Sequence, residues 1–421
     1  MAPERARPGG GPPAPMAAGA RPRTRRGALT DRAAVVLIGC FLMLQPLSTD
    51  LYLPSLPHLA SYFSATPAVV QQTLSLFVIG FGTAQLVSGP LSDRYGRRPV
   101  LMGGLATYLL ASIACAVAPS LSMLVVARFV QATGCCTAAV VARAIIRDAY
   151  APADGARMIA KASSLLSLAP LFGPIAGGYL QVSLGWRAAF GVHTLFCGIL
   201  AWAAWRWLEE TNAHKNPAAT RLANLARSYA QILAAPAFWA YTLPGALSYG
   251  AIFVFIAGSS FVLIRVLGVS TEYYGYCYSF GVLGYLVGTL VCRRLLGRIG
   301  LAATLTAGSV LALLGGLSFA ALTLAGIHHW TVVLVCQFLT MGAHGINFPC
   351  AQSGAVAPFP QQAGAAAALL GFFTMLAALL VGSWVGVSYD GTLAPMALTS
   401  AGVGILLFTS ARMLARHRTI A

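Results

Sequence analysis

Gly89-Pro90-Leu91-Ser92-Asp93-Arg94-Tyr95-Gly96-Arg97-Arg98 lies between two apolar runs, Val69–Val87 and Pro99–Val117. Each run is long enough to cross a bilayer core as a helix. The stretch between them packs four charges around a glycine, so it reads as a tight turn joining two antiparallel spans. Gly96 permits a backbone turn that a side chain would obstruct. Asp93 can pair with the arginines while facing the end of a neighbouring helix. Arg94, Arg97 and Arg98 fix the loop on the cytoplasmic side, because short loops rich in Lys and Arg are not translocated. The simpler alternative is a merely basic loop that anchors two spans.

Composition extends this local inference to the whole chain. Hydrophobic residues make up 58% and charged residues 9% of the 421 residues. Mean hydropathy is +0.75. Soluble domains carry about 25% charged residues, and a soluble chain of this length could not solvate its surface with so few. The net charge of +17 raises the question of nucleic acid. The arginines cluster between apolar runs, however, so the expected partner is the lipid bilayer and not nucleic acid. Nine cysteines lie in or beside apolar runs, where cysteine behaves as a small hydrophobe. No C-x-x-C pair or His cluster accompanies them, which leaves no metal site to expect. His328-His329 reads as part of an outer loop. Residues 1–31, rich in Pro, Gly, Ala and Arg, read as a disordered basic tail and do not form a convincing secretory signal.

Hydropathy divides the remainder into about twelve spans of roughly 20 residues. They fall near 33–56, 69–91, 98–118, 121–146, 158–181, 187–207, 235–264, 274–294, 301–324, 329–350, 362–387 and 393–414. The longest polar stretch after the N-terminus, 209–231, separates the sixth from the seventh. The expected organisation is therefore an all-α membrane protein with one six-helix half at 32–208 and another at 232–415. The linker at 209–231 joins the halves, and a short tail occupies 416–421. With the N-terminus inside, the even connections hold Arg94, Arg97, Arg98, Arg147, Arg157, Lys161, the linker, Arg293, Arg294 and Arg298. The odd connections hold only Arg187 and Arg265. This asymmetry predicts that both termini and the linker are cytoplasmic. Gly288-Thr289-Leu290-Val291-Cys292-Arg293-Arg294 imitates the opening stretch, with Cys292 where the aspartate would stand. Charge-linked gating is thus expected to be stronger in the N-terminal half.

The offsets of Gly89, Leu91, Asp93, Arg94, Gly96, Arg97 and Arg98 resemble the loop between the second and third helices of the major facilitator superfamily, G-x-L-a-D-r-x-G-r-r. That resemblance implies two pseudo-symmetric six-helix halves related by an axis along the membrane normal. Three further segments narrow it. Ser48-Thr49-Asp50-Leu51-Tyr52-Leu53-Pro54-Ser55-Leu56-Pro57 resembles the S-x-D-x-Y-L-P-x-L-P stretch of the Bcr/CflA drug:proton antiporters. Pro170-Leu171-Phe172-Gly173-Pro174-Ile175-Ala176-Gly177-Gly178 looks like the antiporter signature P-x-x-G-P-x-x-G-G. Arg143-Ala144-Ile145-Ile146-Arg147-Asp148 resembles an R-A-x-x-x-D of the same group, which implies that Asp148 meets an arginine of the 89–98 loop, with Arg97 the expected partner.

Polar residues inside the spans are the candidate functional groups, because a charge in hydrocarbon is costly and usually faces a cavity. Asp50 is the sole carboxylate well inside an expected span. A carboxyl group with little access to water is suited to taking up and releasing a proton. The alternative is a solvated, inert aspartate at a helix end. Arg128, in Arg128-Phe129-Val130-Gln131-Ala132-Thr133-Gly134, resembles the R-x-x-q-x-x-G motif whose arginine is associated with proton coupling. A guanidinium does not titrate usefully, so Arg128 would tune a nearby carboxylate or bind an anion; alternatively it ties loop carbonyls together. Gln131, one turn on, shares its face. Gly173 and Gly177 align and admit a close neighbour, while Pro170 and Pro174 permit a bend. Tyr52, Gln131, Tyr249 and Phe253 are the residues expected to line a substrate cavity, with Phe255 pointing elsewhere.

No Walker motif supplies ATP chemistry, and no catalytic triad or ligand cluster suggests an enzyme. The resemblance implies a proton-coupled secondary antiporter of a bacterial inner membrane, a monomer that exports drugs or similar small organic molecules by alternating access. It would need no cofactor and would draw on the proton gradient, with Asp50 as carrier and Arg128 tuning it. The competing readings are an exporter of a metabolite such as a purine nucleoside, and a channel or structural membrane protein.

Overall fold

A computed structural model describes residues 31–150, 152–213 and 215–413. Apart from Asp31, which begins α1, the expected disordered tail lies outside the described residues, as do the last residues of the chain. Among the latter, fourteen α-helices follow one another with no strand between them. The first half comprises α1 (Asp31–Asp50), α2 (Leu56–Tyr62), α3 (Pro67–Tyr95), α4 (Arg97–Ala116), α5 (Leu121–Ala149), α6 (Pro152–Leu166), α7 (Leu168–Leu184) and α8 (Arg187–Trp207). After α9 (Leu222–Leu233) come α10 (Pro236–Ser260), α11 (Thr271–Leu324), α12 (Trp330–Val356), α13 (Ala363–Ser388) and α14 (Ala394–Met413).

Among the described residues, eleven stretches are long and apolar enough to cross a membrane. The eleventh-hour difference from the twelve expected spans lies in α11, whose 54 residues run through two spans. Gly300 alone departs from helical geometry there, with φ 74° and ψ 177°. That left-handed turn reverses the chain without releasing the helical hydrogen bonds on either side, so twelve crossings result. Two other expectations need correction. The first span does not end at 56: a short 3-10 turn at Leu53–Ser55 carries it into α2 and on to Tyr62. The fifth span is divided into α6 and α7 at Ser167, ahead of Pro170 and Pro174. The linker, expected as a polar stretch, contains a helix, α9, that buries Ile232 and leaves Leu222 exposed.

Large apolar side chains such as Leu110, Val126, Leu195, Trp202 and Val387 are more than half exposed. In water that pattern would be a liability; around a multi-pass bundle it is the lipid-facing surface. Because the spans alternate in direction, the turn at Gly96, the linker, Gly300 and the 357–362 connection gather on one face, called the linker face. The two halves meet chiefly where α3 packs on α13 and α7 packs on α11. Small residues allow this: Gly82 faces Met375, Gly382 faces Phe253 and Ser75, and Gly275 faces the backbone of Pro174 and Ile175.

Candidate functional site

At the linker face the turn is set by Gly96, whose φ of 107° is a conformation that favours glycine. A side chain there would also collide with the Glu210 carboxylate. Glu210 accepts hydrogen bonds from the backbone N–H groups of Arg97 at 2.9 Å and Arg98 at 3.2 Å. It thereby satisfies two donors at the start of α4 that the helix itself leaves unpaired. Arg97 is the hub of the network. Its guanidinium donates to Asp93 Oδ1 at 2.5 Å, to Ser92 Oγ at 2.7 Å and to Asp148 Oδ2 at 2.7 Å. Its side chain is only 6% exposed, whereas Asp93 is 42% and Asp148 20% exposed. Arg94 donates to Thr220 and stacks on Tyr95, and Arg98 donates to the Trp205 carbonyl. The linker grips the same turn, with the Asn216 N–H and the Asn212 side chain both donating to the Asp93 carbonyl.

The centre of the molecule holds Asp50, at the end of α1 and 3% exposed. Its Oδ1 accepts from Thr49 Oγ1 at 2.9 Å and from the Tyr278 hydroxyl of α11 at 3.4 Å. The second contact joins the two halves, and its length makes it weak for an O–H···O bond. Tyr249 and Tyr274 lie within electrostatic reach of the same carboxyl group. Tyr249 and Phe253 have ring centroids 6.1 Å apart, as their spacing on one face predicts. Phe255 turns the other way and meets the Tyr278 ring at 5.5 Å, which places it behind the Asp50 partner.

The glycine and proline motif packs directly on this centre. Gly173 faces Asp50 Cβ at 3.5 Å, were it to carry a side chain, and Gly177 faces the Leu51 carbonyl. Gly178 faces the Thr271 carbonyl across the halves. Pro174 sits inside α7, and Pro170 lies in that helix's first turn. One face of the motif thus seats the end of α1, while the other seats the second half.

Arg128 is fully buried but does not meet Asp50. It donates to the Gln131 side chain at 2.7 Å and to the Thr73 carbonyl at 3.4 Å. Its guanidinium lies 4.2 Å from the Phe77 ring centroid and 5.1 Å from that of Tyr52. Its Nη2 has no hydrogen-bond partner among the described residues. Gln131 in turn donates to Ser112, and the Tyr52 hydroxyl pairs with Thr73 Oγ1. Tyr52 and Gln131, expected at a substrate cavity, therefore sit in the interior of the first half as partners of Arg128. Tyr249 and Phe253 do face the region between the halves.

The face opposite the linker is closed by contacts between the halves. Arg265 donates to the Pro57 carbonyl and to Ser61 Oγ, and His58 pairs with Thr271 at 3.0 Å. Gln71 donates to the Ala257 carbonyl at 3.0 Å, and Ser279 to that of Leu171 at 2.6 Å. On the linker face a cavity of about 650 Å³ opens between the halves. Gln85, Asp93, Arg143 and Arg147 line it from one side, and Gln362 and Ala368 from the other. Among the described residues no group of His, Cys, Asp or Glu could hold a metal ion.

Three groups at these sites had no signal in the linear sequence. Tyr278 is 228 residues from Asp50; only its spacing of four from Tyr274 hints at a shared aromatic face. Glu210 is one acid in a polar linker, and Thr49 is a common neighbour of any helix-end aspartate.

Twelve crossings in two packed halves, a buried carboxyl group bridging them and a cavity open on one face define a multi-pass membrane transporter, not an enzyme. The Major Facilitator Superfamily profile matches residues 38–382, and the chain belongs to that superfamily. It is 26% identical to a bicyclomycin resistance protein homolog of Haemophilus influenzae over 87% of this chain and 92% of that protein. It is 31% identical to a chloramphenicol resistance protein of Pseudomonas aeruginosa over 83% of this chain and 82% of the relative. The fold matches the crystal structure of a D-xylose-proton symporter with a TM-score of 0.70 at 15% identity, over 91% of this chain and 97% of the other.

Proposed function

We propose that this transporter is a proton-coupled antiporter that exports drugs or similar small organic molecules from a bacterial cytoplasm across the inner membrane. The linker face and both termini are cytoplasmic, the protein works as a monomer, and the proton gradient replaces any cofactor. The observation that carries this reading is Asp50, buried at the junction of the halves and bonded to Tyr278 of the other half. As a carboxylate, Asp50 accepts the Tyr278 hydroxyl and Thr49. When protonated it loses much of its strength as an acceptor, and the link between the halves weakens. A proton arriving from outside would thus favour one packing of the halves, and substrate from inside the other. Only such differential interaction can shift a conformational equilibrium.

Arg128 acts at one remove. It fixes Tyr52 and Thr73, two residues and one helix away from Asp50, and so holds the end of α1 in place. The names of the relatives support drugs over a metabolite, and bicyclomycin and chloramphenicol are the first compounds to try. The test is efflux from a strain lacking its own exporters, with and without a protonophore. Resistance that vanishes with the protonophore and in Asp50→Asn supports antiport. Resistance indifferent to both would exclude it.

A further inference from the structure

The cavity on the linker face carries an electrostatic imbalance that its role as a mere opening does not explain. Among the described residues three guanidiniums line it, those of Arg97, Arg143 and Arg147, against one carboxylate, Asp93. Arg97 and Asp93 already bind each other. Arg143 and Arg147 have no hydrogen-bond or ion-pair partner among the described residues. They stand four apart on α5, on the same face, and both are exposed to the cavity. Like charges at that spacing are unfavourable in a bare helix. The three arginines of the adjoining turn differ: Arg94, Arg97 and Arg98 each have partners. Among the other polar side chains of the wall, Gln85 and Gln362 can donate hydrogen bonds, whereas the Tyr229 hydroxyl already donates to the Leu86 carbonyl. At about 650 Å³ the space suits a small organic molecule.

We propose that this cavity binds an anionic group, a carboxylate or phosphate, through Arg143 and Arg147. Guanidinium forks match both groups in two-point geometry. A soluble organic anion and the headgroup of an anionic lipid share this chemistry. The proposal rests on the transport reading in taking the cavity for the entrance. Its test needs no proton gradient, so its failure would leave the coupling scheme standing.

Full-length protein in phosphatidylcholine nanodiscs is titrated calorimetrically with benzoate, its neutral counterpart benzamide, and inorganic phosphate. Benzoate is expected to bind and benzamide not. Replacing both arginines (Arg143→Gln, Arg147→Gln) is expected to weaken benzoate by about tenfold or more, the size of a lost charged hydrogen bond. Arg143→Lys with Arg147→Lys keeps the charge and is expected to retain most of the binding, which guards against a folding defect in the glutamine pair. Repeating the titration with phosphatidylglycerol in the disc separates the sources. Competition assigns the site to the headgroup, and its absence to the soluble anion; both support an anion site. Equal binding of benzoate and benzamide, no binding of benzoate or phosphate, or undiminished benzoate binding in the glutamine pair overturns the proposal.

Discussion

Asp93→Asn isolates the charge in the linker-face network. Asparagine keeps the size of aspartate and an acceptor oxygen, so the contact from Arg97 at 2.5 Å can persist as a hydrogen bond to an uncharged acceptor. The bonds from Asn216 and Asn212 go to the Asp93 backbone carbonyl and are unaffected. What disappears is half the countercharge of Arg97, whose side chain is 6% exposed and retains Asp148 at 2.7 Å. Asp93 itself is 42% exposed, so solvent screens the loss to about 1 kcal/mol. A change of that size moves an equilibrium between two packings of the halves roughly fivefold. The assay is uptake into proteoliposomes under an imposed pH gradient, beside the labelling rate of a cysteine placed at Ala368 in the cavity wall. Transport is expected to fall about fivefold, with a changed labelling rate and an ordinary protein yield. Normal transport and labelling at normal yield would refute the charge-linked gate.

Glu210→Gln removes the anionic cap from the start of α4 and is expected to lower stability by roughly 1 kcal/mol, read as an earlier thermal transition in detergent. Gly177→Val drives a side chain into the Leu51 carbonyl; overpacking of this kind costs about 1–3 kcal/mol, and transport should fail before expression does, as measured by flux per folded molecule. A cysteine at Asn216 in the linker should react with an impermeant maleimide only after the cells are opened. Labelling of intact cells would reverse the proposed orientation.

The spans were legible in the sequence because length and hydropathy alone determine them. The first and fifth departed where proline and a following short helix altered the path without altering hydropathy, at Leu53–Ser55 and around Ser167. The eighth and ninth spans read as separated by arginines, yet the helix continues through Arg293 and Arg298 and turns only at Gly300, where φ becomes positive. The linker helix was hidden by its polar residues, although Leu225, Tyr229 and Ile232 recur at helical spacing. The geometry of Arg97 with Asp93 and Asp148 follows the motif offsets closely. The surroundings of Asp50 do not, because its partner in the second half comes from a distant helix. Tyr52 and Gln131 looked available for substrate because a sequence gives no account of what a buried guanidinium demands; Arg128 and its neighbours use both.

The most direct test of the account is substrate-induced proton release by the purified protein, followed across pH with a compound that the efflux assay identifies as transported. Asp50 is the buried carboxyl group that bridges the halves. Asparagine there keeps its shape and a hydrogen-bonding oxygen but carries no exchangeable proton of that kind. Wild-type protein is expected to release protons on binding, and Asp50→Asn to bind still but release none. Undiminished release from Asp50→Asn would contradict it and leave Asp50 with a helix-end role alone.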